Sequence, residues 1–391
     1  MKILFKNARV IGENSITDNC YVLTDGDKIA YCGTKYSGVI DIDKIDKIID
    51  VKGNYLSAGF IDTHVHGGGG HDFMDATKEA IHGIANYHSK HGVTSMLAAS
   101  VAAGDEETEA MLDSYNKYAG EVKNCNYLGV HLEGPYFCVE QCGAQDPRYI
   151  ISPRREHYIK LLSYGHVKRL SAAPELEGAL ELGDYLREQG IIASIAHSNA
   201  EYDQVLEAEK HGYNSITHLY SGTSGVHRRN AFRFGGIIEA GLLLDSLYAE
   251  IIADGCHLPE CLLKLIFKCK GREKIMLTSD ASRGAGFDEG EAIIGSIEIG
   301  QRILIEDGVA KLPDRSAFAG SIASADRLIR TMIKLAEVSL IDAVYMMTVT
   351  PSEILKIGNT KGRIKAGMDA DIVIFDEEIK IINTMVMGNI I

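Results

Sequence analysis

Apolar residues recur along this chain in two rhythms, and the change between them divides it. Near the N-terminus Ile3 and Phe5 alternate with polar neighbours, and Asp25-Gly26 is a turn signal. The first fifty-odd residues therefore read as β structure. The same texture returns at the far end, where Asp371-Ile372-Val373-Ile374-Phe375 follows the turn-rich Lys365-Ala366-Gly367. Chain ends often lie close together, so residues 1–55 and 358–391 are expected to build one small β-sandwich domain. Between them, short apolar runs alternate with longer amphipathic stretches. Candidate strands cover residues 57–66, 92–100, 126–133, 168–174, 191–197, 214–219, 247–253 and 274–280. After the last of these, Ala325, Leu328, Met332, Leu335 and Ala336 recur at helical spacing. Strands alternating with helices predict a parallel sheet. Eight such units over residues 56–357 predict an α/β fold, a (β/α)8 TIM-like barrel carrying the chemistry. An open doubly wound sheet shares this periodicity, but no Gly-x-Gly-x-x-Gly opens a helix after the first strand.

Composition narrows the partners. The 391 residues are 46% hydrophobic and 24% charged, with a net charge of −14. Such a field repels nucleic acid and anionic membranes, so neither is expected as a partner. The one dense basic cluster, His227-Arg228-Arg229 with Arg233 nearby, suits a single phosphate and no longer polyanion. The first ten residues lack the continuous apolar run of a signal peptide, and no stretch has the length of a membrane span. Eight cysteines at irregular spacing, with no Cys-x-x-Cys, predict reduced thiols and a cytoplasmic location. Cys138 and Cys142 are expected to be small buried hydrophobes, not ligands.

The candidate chemistry sits where apolar runs stop. Asp62-Thr63-His64-Val65-His66-Gly67 places two imidazoles at i and i+2, on one face of a strand, where both can aim at one ion. Imidazole suits zinc and similar metals. Other runs stop at Glu133, His197, His218 and Asp280. Singly, each reads as an ordinary polar residue. In a barrel, all these ends converge on one mouth, where a group of His, Glu and Asp signals metal and acid–base chemistry. His131 shares a strand face with Glu133 and is ambiguous. The histidines at 71, 82, 88, 91, 157, 166 and 211 fall in loops or helices and read as surface or structural.

Several longer motifs carry a resemblance. Phe60-Ile61-Asp62-Thr63-His64-Val65-His66, Thr278-Ser279-Asp280-Ala281 and the closing run from Gly362 to Asp371 resemble the amidohydrolase superfamily. His131-Leu132-Glu133-Gly134-Pro135-Tyr136-Phe137, Gly143-Ala144-Gln145-Asp146-Pro147, Thr217-His218-Leu219, Ile252-Ala253-Asp254-Gly255-Cys256-His257 and Phe318-Ala319-Gly320-Ser321 are similar to the N-acetylglucosamine-6-phosphate deacetylase family.

The resemblance implies metal-dependent hydrolysis of the acetamide of N-acetylglucosamine 6-phosphate, giving glucosamine 6-phosphate and acetate. It implies a divalent metal, one or two per subunit: zinc, with iron, manganese or cobalt as alternatives. Glu133, His197 and His218 would hold the primary ion, and His64 and His66 a second. Asp280 would be the catalytic acid–base, with His257 or Gln145 helping to stabilise the oxyanion. Substrate contacts would fall on Ala144, Ser221, Gly222, Arg229, His257, Ala319, Gly320 and Ser321. A homodimer is implied, in which the basic loop reaches across a two-fold axis and Arg229 binds the neighbour's substrate phosphate; Arg228 is a weaker candidate. The chain departs from the family pattern at Tyr220-Ser221-Gly222-Thr223 and at Arg229-Asn230-Ala231-Phe232. Rival expectations are N-acetylgalactosamine-6-phosphate deacetylation, hydrolysis of another N-acyl or cyclic amide, and a non-catalytic metal-binding protein.

Overall fold

The computed structural model describes residues 1–36 and 40–391. Its centre is a parallel sheet of eight strands paired in sequence order. Numbered as barrel strands one to eight, they are Phe60–Val65, Val93–Ala99, Asn126–Glu133, Val167–Ala172, Ile192–Ile195, Tyr213–Ile216, Tyr248–Ile251 and Ile275–Leu277. All eight expected strands are present. Helices such as Lys78–Ser89, Asp105–Tyr118, Ala179–Gln189 and Glu260–Lys270 pack outside, their apolar stripes buried in one large core. Strands covered on both faces read as continuous apolar runs, which is why they were visible in the sequence.

Closure of the barrel depends on few hydrogen bonds. The Asp280 amide donates to the His64 carbonyl at 3.0 Å, and the His66 amide to Ala281 at 3.0 Å. The fully buried Asp62 carboxylate accepts from Thr278 Oγ1 at 2.7 Å and from the Ser279 amide at 3.2 Å. Strands one and eight are thus fastened beside the candidate site residues His64, His66 and Asp280.

Both chain ends meet in one other eight-stranded sheet. It includes Lys2–Ile11, Ile16–Asp25 and Lys28–Gly33 from the start, and Ile372–Phe375, Ile381–Val386 and Asn389–Ile390 from the end. Ile3, Phe5, Val22, Leu56, Ile372 and Ile374 lie in its own apolar cluster. The expected strand at 57–66 is two strands. Tyr55–Ala58 pairs with Ile372–Phe375 in the terminal sheet, and Phe60–Val65 starts the barrel. Gly59 separates them, and a Cβ there would overlap the Thr94 side chain. A continuous apolar run conceals this break because burial persists across it.

A further β unit lies after strand eight, made of Gly290–Ile294, Gln301–Glu306 and Val309–Lys311. Its small core contains Ile294, Ile303, Ile305 and Ala319, and it walls one side of the barrel mouth. The helix expected from Ala325 runs Ala325–Leu335. A last helix, Leu340–Ile354, packs against strands one and eight. No helix among the described residues is long and apolar enough to cross a membrane.

Candidate active site

The mouth of the barrel gathers His64, His66, Glu133, His197, His218 and Asp280 around a cavity of about 250 Å³, all but His64 lining it. Glu133 lies at the centre. Its Oε1 is 2.9 Å from His218 Nε2 and 3.5 Å from both His197 Nε2 and His64 Nε2. Its Oε2 is 3.4 Å from His66 Nε2. Two groups of ligating atoms result, Glu133 with His197 and His218, and Glu133 with His64 and His66. Asp280 Oδ1 lies 3.1 Å from His66 Nε2 yet forms no hydrogen bond.

Proton placement shows what this donor set requires. His197 Nδ1 lies 2.8 Å from the Gln141 carbonyl, and His218 Nδ1 lies 3.1 Å from the Ser221 carbonyl. A carbonyl only accepts, so each ring carries a proton on Nδ1 and turns its Nε2 toward Glu133, 2.9 Å away for His218. His64 Nδ1 donates to Glu250 Oε1 at 2.9 Å, which leaves its Nε2 facing His66 Nε2 at 3.1 Å. With neutral rings, lone pairs would confront lone pairs and carboxylate oxygens here, and His197 Nε2 is buried without a partner. Such an arrangement needs positive charge between the acceptors, as protons or as metal ions. The shifts in proton affinity agree. Burial opposes charge on His66, but Asp280 and Glu133 outweigh it and raise the ring to about 9. Burial would raise Glu133, but the rings around it, His64 foremost, hold it well below the usual carboxylate range. Two imidazoles, a bridging carboxylate and a second imidazole pair fit divalent metals of the zinc type.

The strand ends are bent to make this geometry. His197, His218 and Asp280 have φ of 44°, 30° and 47°, in the left-handed region that residues with a Cβ avoid. Such strain persists where surrounding structure enforces it, commonly at functional sites. The segment Tyr220-Ser221-Gly222-Thr223 does part of the enforcing. Ser221 supplies the carbonyl that orients His218, and the Tyr220 amide donates to Thr223 Oγ1 at 3.2 Å. Gly222, with φ of 55°, lies so close that a Cβ would stand 2.7 Å from His197 Nδ1.

Of the expected substrate contacts, Ala144, Ser221, Gly222, His257 and Gly320 line the cavity, joined by Tyr220, Ile294 and Phe318. Ala319 and Ser321 are fully buried behind it. The Ser321 amide donates to the Asp280 carbonyl at 2.7 Å, so it braces Asp280 from behind. Arg229 stands outside the cavity on a hairpin of His227–Arg229 and Phe232–Phe234. It pairs with Glu201 at 2.9 Å and stacks over Phe234 at 4.0 Å. Among the described residues no Lys or Arg lines the cavity.

Gln145 lines the cavity and is tied to its centre. Its amide nitrogen donates to Glu133, and its oxygen accepts from the Ala102 amide at 2.7 Å, so it holds the central carboxylate in place. Cys138 and Cys142 are partly exposed rather than buried, because their loop forms the rim. His131 does not reach the ligating groups; its Nε2 lies 2.7 Å from Ser171 Oγ.

Sequence reasoning missed three residues. Asp254 fixes His257, accepting from its Nδ1 at 2.8 Å. Glu250 and Arg169 form a fully buried ion pair beneath the histidines. The available signal was a charge inside an apolar strand, since an isolated buried charge is too costly to occur without a partner.

Comparison with known proteins agrees with this geometry. Residues 55–391 match the amidohydrolase family. The chain is 32% identical to the N-acetylglucosamine-6-phosphate deacetylase of Lysinibacillus sphaericus, over 100% of this chain and 98% of that protein. It is 30% identical to the N-acetylgalactosamine-6-phosphate deacetylase of Escherichia coli O157:H7, over 86% and 87% of the two. The crystal structure of the N-acetylglucosamine-6-phosphate deacetylase from Pasteurella multocida superposes with a TM-score of 0.91 over the whole of both chains, at 26% identity. The chain belongs to the amidohydrolase family, and within it to the N-acetylglucosamine-6-phosphate deacetylases.

Proposed function

We infer that the chain hydrolyses the acetamide of N-acetylglucosamine 6-phosphate to glucosamine 6-phosphate and acetate. Its relatives by sequence and structure support this, and so does one geometric observation: a carboxylate with a hydrogen-bond-free oxygen, Asp280, beside a cluster that demands positive charge.

The residues divide the work. Glu133, His197 and His218 would hold the first ion, and His64 and His66 the second, with Glu133 between them. We take zinc as the metal because the donors are nitrogen and carboxylate oxygen, with iron, manganese and cobalt as alternatives. A bound divalent ion supplies Lewis acidity, bringing water ionisation toward neutral pH. Asp280 accepts a proton from the attacking water and later delivers it to the departing amine, which one carboxylate can do when both lie on the same side. Its backbone, held by His64 and Ser321, aims the free oxygen into the cavity. His257, fixed by Asp254, offers its other nitrogen to the substrate. Tyr220, Ser221 and Gly222 form the floor under the sugar.

The phosphate needs a cation that the cavity of one chain lacks. We assign it to the partner subunit's Arg229, delivered by the hairpin. The hairpin supports this reading, since Phe232 near its tip is 73% exposed and Val226 at its base 61% exposed in the single chain. A dimer that covers them would bury apolar area and complete the site.

The test is acetate release by zinc-loaded protein from N-acetylglucosamine 6-phosphate, its galactosamine epimer and the unphosphorylated sugar. We expect the glucosamine phosphate to have the highest kcat/KM. Faster turnover of the epimer would move the assignment to the second named relative's reaction, and no acetate from any of them would refute it.

A further inference from the structure

Glu250 lies on strand seven, with every atom of its side chain shut away from water. Its carboxylate has four partners: the Arg169 guanidinium, His64 Nδ1 at 2.9 Å, Thr63 Oγ1 at 3.2 Å and the His218 amide at 3.3 Å. Arg169, on strand four, is equally buried. Its other terminal nitrogen donates to Thr217 Oγ1 at 2.8 Å and Ser194 Oγ at 3.0 Å. The barrel interior thus contains a polar layer directly under the ligand cluster.

Stability does not explain this layer. A buried ion pair returns little of its desolvation cost, and apolar residues of similar volume commonly serve as well or better. The direction of the pair is more informative. Glu250 Oε1 accepts from the His64 ring and from the backbone of His218, one member of each ligand group. A carboxylate on the far nitrogen fixes the tautomer of an imidazole and makes its near nitrogen a better ligand. His131 limits the same ring from the side, edge-on with centroids 4.4 Å apart. The other ligand rings with a fixed Nδ1 proton, His197 and His218, give it to neutral carbonyls.

We propose that Glu250, held by Arg169, is the positioning residue of the second ion, orienting and strengthening His64 as its ligand. This rests on the reading of His64 and His66 as a metal pair. Arg169 supplies the charge that allows Glu250 to stay ionised in the barrel interior.

The experiment measures uptake of zinc alone by the apoprotein, as ions per chain and as stepwise affinities from chelator competition, with Tm recorded in parallel. Wild type, Glu250→Gln and the volume-conserving double variant Glu250→Leu/Arg169→Met are compared. Wild type is expected to take up two ions. Glu250→Gln is expected to keep the first and to bind the second about 10–100-fold more weakly. The double variant removes both charges together, so it is expected to fold with a Tm near wild type and show the same weak second step. A merely structural pair would move Tm and leave the second affinity alone. Wild-type affinity for the second ion in either folded variant overturns the proposal. Uptake of only one ion by wild type under excess zinc is a different failure, removing the two-ion reading and this inference with it.

Discussion

The two halves of the candidate ligand cluster are built by opposite means. His197 and His218 stand past the ends of their strands, in left-handed backbone, each steadied by a loop carbonyl. His64 and His66 stand on or next to a regular strand, and His64 is steadied from below by a buried carboxylate. The first half therefore depends on loop conformation and the second on the barrel interior. Glu133 joins them, itself held by Gln145. The rings of the two halves thus have different supports, loop carbonyls for one and Glu250 for the other, although Glu250 also accepts from the His218 amide.

The largest effect should come from the first half. Replacing His197 or His218 by Ala removes one of three ligands, and activity should fall to background with loss of the tight ion. Metal analysis and acetate release check this together, and full activity in a thoroughly chelated sample would contradict the whole metal assignment.

Asp280→Asn should come next. It keeps the size and removes the proton shuttle, so kcat should fall by roughly 10²–10⁴-fold while substrate still binds. Near-normal turnover would remove Asp280 from the mechanism.

His64→Ala addresses the second half alone. The protein should retain one ion and lose the other, with a smaller fall in kcat than either first-half variant. An equal fall would mean the halves act as one unit and the comparison is misplaced.

Arg229→Ala lies outside both halves. It should raise KM for the phosphorylated sugar by roughly 30–1000-fold, the equivalent of about 2–4 kcal/mol for a charge-assisted pair, and spare the unphosphorylated one. Mixed with Asp280→Asn chains, it should recover activity, because one site of the heterodimer keeps both residues. No recovery after verified subunit exchange would place Arg229 in its own chain's site or in none.

The smallest change tests the loop support. Gly222→Ala puts a Cβ beside His197 Nδ1 in a backbone region disfavoured by roughly 1–2 kcal/mol. First-ion affinity should fall about tenfold while the second, held from below, changes less. A competition titration with zinc separates the two.

The barrel and most of the candidate residues gathered at its mouth are legible in the sequence because their signals are local. Strand runs end where water begins, so His197, His218 and Asp280 were marked by position alone. The spacing of His64 and His66 follows from the two-residue period of a strand. The short β unit at residues 290–311 was not visible, because its three brief strands lack a long periodic run. Glu250 and Arg169 are hidden for a different reason. Each looks like one charge in an apolar strand, and nothing in either strand names the other.

The sequence by itself determined the element order, the barrel class and the residue types at its mouth, since those depend on hydrophobic period and on where each run stops. Tertiary structure alone decided which ring nitrogens and carboxylate oxygens meet, that His197, His218 and Asp280 take left-handed backbone, and that Asp62 fastens strand eight to strand one. It also decided that Glu250 of strand seven meets Arg169 of strand four and His64 of strand one inside the barrel. Those partners are far apart in sequence. Their meeting is set by the closure and stagger of the sheet, which fixes the depth at which each inward side chain lies, and no local pattern carries that information.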